Sequence, residues 1–366
     1  MVISVVATRP NFIKMAPIIE QLNLNKIENY FVHTGQHYDD NMSKIFFKDL
    51  NMPVPNHFMN IRPGSHAEQT AEVLIKFEKL CMKLKPKLVI VAGDVNSTLS
   101  CALAATKLNI PIAHIEAGLR SFDKRMPEEV NRVLTDQVSD LLFATERSAI
   151  ENLKNENIVK QKIHFVGNCM IDSLVKNKLK IKKNNALNKY RLKKEDYCIA
   201  TFHRPSNVDN MQNLKDLGSF LNKLSKKCKV VFPIHPRTKK MIENFRISLS
   251  KDIILLDPLS YFEFLNLVSN CKFVLTDSGG IQEETTFLGI PCITLRENTE
   301  RPSTVDVGTN RLAGLNYKHA FDLIIDIMTN VTKSKNVPEK WDGKSSLRII
   351  KVIKDFLNSF DDKIEQ

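Results

Sequence analysis

Four side chains suited to proton transfer stand at positions where a buried element would end. Asp94 follows the apolar run KLVIVAG, Glu116 follows PIAHI, His203 follows YCIATF, and Glu128 opens the pattern PEEVNRVLTDQVSD. A carboxylate at the mouth of a buried strand is costly to desolvate unless it has a partner or a reaction to perform. Histidine is the usual acid or base near neutral pH. Each residue also has a structural reading. Asp94 could cap the helix VNSTLSCALAATKL. Glu128 lies four residues before Arg132 and could form a local ion pair, and its first-turn position behind Pro127 is favourable for dipole reasons alone. His203 could bond a loop carbonyl.

A second set of residues suits an anionic ligand. Arg9 and Lys14, in ATRPNFIKMAP, lie near one end of the first strand, where an arginine fork and a lysine point charge could meet phosphate oxygens. The alternative is a surface cation pair on a first helix. In KFVLTDSGGIQEETTFLGIP, the turn Ser278-Gly279-Gly280 offers a hydroxyl and helix-start N–H groups, and glycine allows close approach of a ligand to the backbone. The pattern predicts Gln282, Glu283 and Glu284 in the first helical turn. Glu284 could accept from the two hydroxyls of a ribose. A nucleoside diphosphate would satisfy the turn and the carboxylate together. Downstream, TERPSTVDVGTNRL supplies Arg301 as a further phosphate contact.

The elements that must position these residues alternate between short apolar runs and helical patterns. VISVVA, NYFVHTG, KLVIVAGD, PIAHIEAG, DLLFAT and KIHFVGN read as strands, most of them apolar throughout, as in parallel sheets buried on both faces. A Lys/Asn-rich segment from about 170 to 195 interrupts the pattern. It resumes with DYCIATFH, CKVVFPIHP, IILLDPL, CKFVLTD and PCITL. The expectation is an α/β protein with two Rossmann-like domains in series. The first covers 1–170, with a terminal helix near 346–366 returning to it, and the second covers 171–345. Ligands of such sheets bind beyond the carboxyl ends of the strands, where polar and glycine residues accumulate here. Neither half carries GxGxxG or GxxxxGK[ST], which disfavours a dinucleotide held in the usual manner and a P-loop nucleotide site.

Composition narrows the class further. The 366 residues include 53 Lys+Arg against 41 Asp+Glu, a net charge of +12, but the basic runs are not interleaved with aromatics. This favours a solvated basic surface over nucleic-acid binding. No apolar run reaches the roughly 18 residues of a membrane span. The opening MVISVVATRPNFIKMAP reads as a first strand rather than a signal peptide. The seven cysteines are scattered without a CxxC pair, which predicts reduced thiols in a cytoplasm and no metal site.

Nine segments in order, TRPNFIKMAP, TGQHYDDNM, GDVNSTL, HIEAGLRS, PEEVNR, HRPSNVD, HPR, TDSGGIQEE and TERPSTVDVGTNRL, resemble the non-hydrolysing UDP-N-acetylglucosamine 2-epimerases over almost the whole chain. The resemblance implies a GT-B-like pair of domains with the active site in the cleft between them, a cytoplasmic homodimer and no cofactor. It implies that Asp94, Glu116, Glu128 and His203 are catalytic. It further implies that Arg9, Lys14, Ser278, Gly279, Gly280, Glu284 and Arg301 hold UDP, with Phe264 packed against the uracil. Family members can bind a second, activating UDP-sugar, and the matching positions are near Gln36, Arg204 and His235. The first motif reads TRPNF where many members have TRPEA, and the histidine motif reads HRPSN rather than HRREN. These departures leave other readings open. They are a 2-epimerase of a UDP-2,3-diacetamido uronic acid, a GT-B glycosyltransferase, a hydrolysing epimerase, and a non-catalytic binding protein.

Overall fold

A computed structural model of the chain describes residues 1–35, 47, 49–330 and 336–364. Two compact units account for them: Met1–Lys176 with Glu339–Gln366, and Asn177–Pro338. The sequence reading changes domain at 170 and returns near 346. The unit boundaries fall at other residues for local reasons. The helix Cys169–Lys183 starts on the first unit, where Ser173 Oγ donates to the Ile13 carbonyl at 2.5 Å. The returning chain is anchored before its helix begins, by the fully buried Trp341, whose Nε1 donates to the Thr145 carbonyl at 3.1 Å. Asp172 then accepts from the amides of Ser345 and Ser346 at 3.0 and 2.7 Å and fixes the start of the helix Ser345–Ile364.

The first unit holds a seven-stranded parallel sheet. Its strands are β1 (Val2–Val6), β2 (Asn29–His33), β3 (His57–Phe58), β4 (Leu88–Ala92), β5 (Ile112–Ala117), β6 (Leu141–Ala144) and β7 (Ile163–Phe165), in the order β3-β2-β1-β4-β5-β6-β7. The second unit holds β8 (Tyr197–Thr201), β9 (Lys229–Pro233), β10 (Ile253–Leu256), β11 (Val274–Thr276), β12 (Cys292–Thr294) and β13 (Asn310–Leu312), in the order β10-β9-β8-β11-β12-β13. All pairings are parallel. Strands β1, β4, β5 and β8 are buried along their whole length, which is why their sequences are apolar without alternation. The edge strands β3 and β13 escape the sequence reading because two or three residues are too few to show a pattern.

Each sheet has the doubly wound order of a Rossmann unit, and the winding reverses between its first and fourth strands. In the first unit the reversal lies between β1 and β4, and in the second between β8 and β11. Helices diverge there and leave room beyond the strand ends. The turns that occupy these positions are Thr8-Arg9 and Gly93-Asp94 in one unit, and His203-Arg204 and Asp277-Ser278-Gly279 in the other. No described helix is long and apolar enough to cross a membrane.

Candidate active site

In the first unit the Gly93-Asp94 turn lies directly beneath a buried ion pair. Gly93 has φ +70°, and a Cβ added there would come 3.5 Å from Lys14 Nζ and 3.7 Å from Glu116 Oε2. Lys14 and Glu116 pair with each other, both nearly closed to solvent. Lys14 is therefore neither a surface cation nor isolated from the carboxylate set. Glu116 has φ +71° at a register shift in β5. A left-handed conformation at a non-glycine residue costs roughly 1–3 kcal/mol and collects at functional sites, where surrounding structure enforces it.

Asp94 does not cap the following helix. Val95 occupies the cap position of Asn96–Lys107, with no side-chain cap bond, and the Asp94 carboxylate turns instead to the Arg132 guanidinium. Arg132 is buried, and its other arm pairs with Glu129. The guanidinium that the spacing offered to Glu128 is held by Glu129 and Asp94. Glu129 also accepts from the Ser121 amide at 2.9 Å and the Phe122 amide at 2.8 Å, so it is held by the loop after β5. Glu128 stays half-buried in the first turn of Pro127–Val138.

That helix grips the Gly93-Asp94 turn at further points. Asn131 Nδ2 donates to the Asp94 carbonyl at 3.0 Å. His114 on β5 reaches the Gly93 carbonyl with Nε2 at 2.8 Å and Asp136 of the helix with Nδ1 at 2.6 Å. Burial alone would raise the Asp136 pKa, but His114 and Arg120 outweigh it and hold the carboxyl below its ordinary range. One rigid helix therefore carries Glu128 and fixes Asp94. Sequence reasoning gave Arg132 only a structural part and did not single out Asn131 or Asp136, although the helical spacing of PEEVNRVLTDQ puts them within reach of one another.

In the second unit His203 follows β8 and meets Asp277, which follows β11. The buried Asp277 accepts from the His203 amide at 3.0 Å, the Arg204 amide at 2.9 Å and Asn207 Nδ2 at 3.0 Å, and it lies 3.1 Å from His203 Nδ1. Burial opposes its ionisation, but the His203 bond and these donors hold its pKa down. Asp277 orients His203 and was missed, although its place before the glycine turn was the available signal. The His203 and His235 rings lie 5.5 Å apart. His235 caps the helix Pro236–Asn244, accepting from the Arg237 amide at 3.2 Å. Gln36 lies outside the described residues, as does the Arg9 side chain; the Arg9 backbone begins the helix Arg9–Leu24.

Ser278 caps the helix Gly279–Leu288 without a side-chain cap bond. The carboxylates expected in the first turn stand in the second, because the helix starts at Gly279 and its first turn holds no acid. Glu283 lies 3.0 Å from Arg301 Nε. Arg301 itself lies across Gly279: an added Cβ there would come 2.4 Å from its Nη1. Glycine is required at this point for the arginine to reach the turn. Glu284 is 4% exposed, and burial pushes its pKa to about 8, beside the Tyr261 hydroxyl. Its Oε1 has no hydrogen-bond partner among the described residues. Phe264, one helical turn beyond Tyr261, is half-buried against the core that includes Leu267 and Val268. The described residues hold no group of three or more His, Cys, Asp or Glu placed to bind a metal ion.

A family model described as UDP-N-acetylglucosamine 2-epimerase matches residues 20–354. The chain belongs to this family. It is 44% identical over 358 residues to the UDP-N-acetylglucosamine 2-epimerase of Methanococcus maripaludis, covering 95% of this chain and 97% of the relative. It is also similar to the crystal structure of Methanocaldococcus jannaschii UDP-GlcNAc 2-epimerase in complex with UDP-GlcNAc and UDP. There the identity is 44% and the TM-score 0.91, over 97% of this chain and 99% of that one. A third relative, the UDP-2,3-diacetamido-2,3-dideoxy-D-glucuronate 2-epimerase of Pseudomonas aeruginosa, is 44% identical over 333 residues, 89% of this chain and 90% of the relative. Family membership makes this chain an isomerase-type enzyme of two Rossmann-like units, a GT-B-like combination.

Proposed function

We propose that this chain interconverts UDP-N-acetylglucosamine and UDP-N-acetylmannosamine by inverting C2, through elimination of UDP and its re-addition. The observation that carries the nucleotide half of this reading is the second unit's glycine turn. It joins helix-start N–H groups, the Arg301 guanidinium across Gly279, and Glu284 with a buried oxygen that lacks a partner among the described residues. Phosphates suit the first two and a ribose diol the third. Phe264 supplies an apolar ring near Tyr261 for the base, and Arg9, Lys14, Ser278 and Gly280 complete the proposed UDP contacts.

Proton chemistry falls to Asp94, Glu116, Glu128 and His203. The C2 hydrogen of the sugar is not adjacent to a carbonyl, so a carboxylate cannot remove it unaided. Departure of UDP, with cations and N–H groups stabilising the phosphate charge, makes C1 oxocarbenium-like and C2–H acidic. Carboxylates near the ring stabilise that cation, as in glycosidases. Proton loss gives a 2-acetamidoglucal and UDP. Protonation of the opposite face with C1–O bond formation gives the epimer. His203 assists the leaving group in this reading, which its contacts with Asp277 support.

A second reading, the UDP-2,3-diacetamido uronate as substrate, is favoured by the equal identity to the Pseudomonas relative. We also assign the enzyme to a cytoplasmic pathway of polysaccharide synthesis, as a homodimer. Seven buried free thiols suit a reducing compartment. Ile75 and Met82, exposed seven residues apart on the helix His66–Leu84, give an apolar stripe suited to a second copy. Proton NMR of the enzyme with UDP-N-acetylglucosamine in D2O tests the reading. The expected result is an equilibrium mixture containing UDP-N-acetylmannosamine with deuterium at C2. An unchanged sugar would refute it in favour of the uronate or a transferase, and free N-acetylmannosamine would indicate hydrolysis.

A further inference from the structure

Arg296, just beyond β12, has no part in the reading so far. Its side chain is 7% exposed. Nη2 lies 2.8 Å from Glu300 Oε2 and 3.4 Å from Asn298 Oδ1, whereas Nη1 has no hydrogen-bond partner among the described residues. A buried guanidinium arm without a protein acceptor is unusual, because buried polar groups are nearly always hydrogen-bonded.

The surroundings explain what the arm lacks. Glu300, 2% exposed, is a shared counter-ion. Its Oε1 lies 2.5 Å from Arg301 Nη1 and 3.7 Å from Arg204 Nη2. Glu283 is the other carboxylate of the group, on Arg301 Nε. Glu300 thus gathers three guanidiniums, those of Arg204, Arg296 and Arg301, beside one another. The cluster adjoins the glycine turn through Arg301, which lies against Gly279. A ten-residue helix starts there with its N–H groups outward.

We propose that Arg296 is a binding residue for the diphosphate, with Nη1 donating to a phosphate oxygen and Glu300 holding the arginines in register. The inference rests on the nucleoside-diphosphate reading of the second unit and adds a residue and a selectivity to it. An open donor in the group that reaches the glycine turn through Arg301 favours two phosphates over one, and ignores the nucleoside.

The test is binding by the full chain, with UDP and UMP measured by titration calorimetry and uridine by saturation-transfer NMR. In Arg296→Met, UDP affinity is expected to fall tenfold or more, UMP affinity less, and uridine binding not at all. Removing one partner of a buried pair can unfold a protein. The double variant Arg296→Met/Glu300→Gln therefore removes the cation together with its charge partner, and the same UDP-specific loss is expected with the thermal midpoint retained. Equal losses for UDP and uridine, or full UDP affinity in the double variant, would overturn the role of Arg296 alone. A wild-type protein that binds UDP no more tightly than uridine would overturn the diphosphate reading itself, and this inference with it.

Discussion

In the first unit the carboxylates at the strand ends are matched by cations, Glu116 by Lys14 and Asp94 by Arg132, and Asp136 on the neighbouring helix is matched by His114 and Arg120. In the second unit the balance tips the other way. Among the described residues, Arg296 Nη1 lacks an acceptor and Glu284 keeps a buried oxygen without a partner. The topology is the same in both, so the difference lies in the residues placed at the reversal of the winding. Matched pairs fix the position and charge of the groups proposed to move protons. The open donor and acceptor are where the proposed phosphate and ribose would bind.

The largest expected effect separates these two tasks. Asp94→Asn should lower kcat by about 10²–10⁴, the usual contribution of a positioned acid or base, and leave UDP affinity unchanged. Titration of UDP alongside turnover checks both, and a parallel loss of UDP affinity would break the contrast between the units. Gly279→Ala should act in the opposite sense. Its Cβ would meet Arg301 Nη1 at 2.4 Å. UDP affinity should fall roughly tenfold, which is about 1.4 kcal/mol, while kcat at saturating substrate changes little.

The smallest effect concerns Glu284. Burial raises its pKa from 4.5 to about 8, so between those values the folded state holds a proton that the unfolded state has released. This term therefore stabilises the fold at low pH and is lost as pH rises through that window. Thermal midpoints of Glu284→Gln should show a flatter decline over the same range. A ribose that donates both hydroxyls needs the ionised carboxyl, so UDP binding near pH 7 should release a proton. Calorimetry in buffers of different ionisation enthalpy would detect the release, and its persistence in Glu284→Gln would detach it from this residue.

Much of the architecture was legible because it is local. Apolar runs without alternation marked β1, β4, β5 and β8, and the residues that end them stand at the strand mouths whatever their side chains touch. That a helix follows β11 through a glycine turn was readable from serine and glycine alone. The turn occupied by Glu283 and Glu284 was not, because counting depends on which residue takes the cap. Strands β3 and β13 were too short to declare themselves.

By itself the sequence determined two Rossmann-like units, the candidate acids, bases and cations at their strand ends, and the motifs that place the chain in its family. Only the tertiary structure decided which charge faces which. Lys14 meets Glu116 across 102 residues, Arg132 meets Asp94 across 38, and His203 meets Asp277 across 74. A strand or a turn follows from neighbours along the chain. A buried ion pair depends on the register of elements far apart in sequence, and on the desolvation that their packing imposes on every charge left at the strand ends.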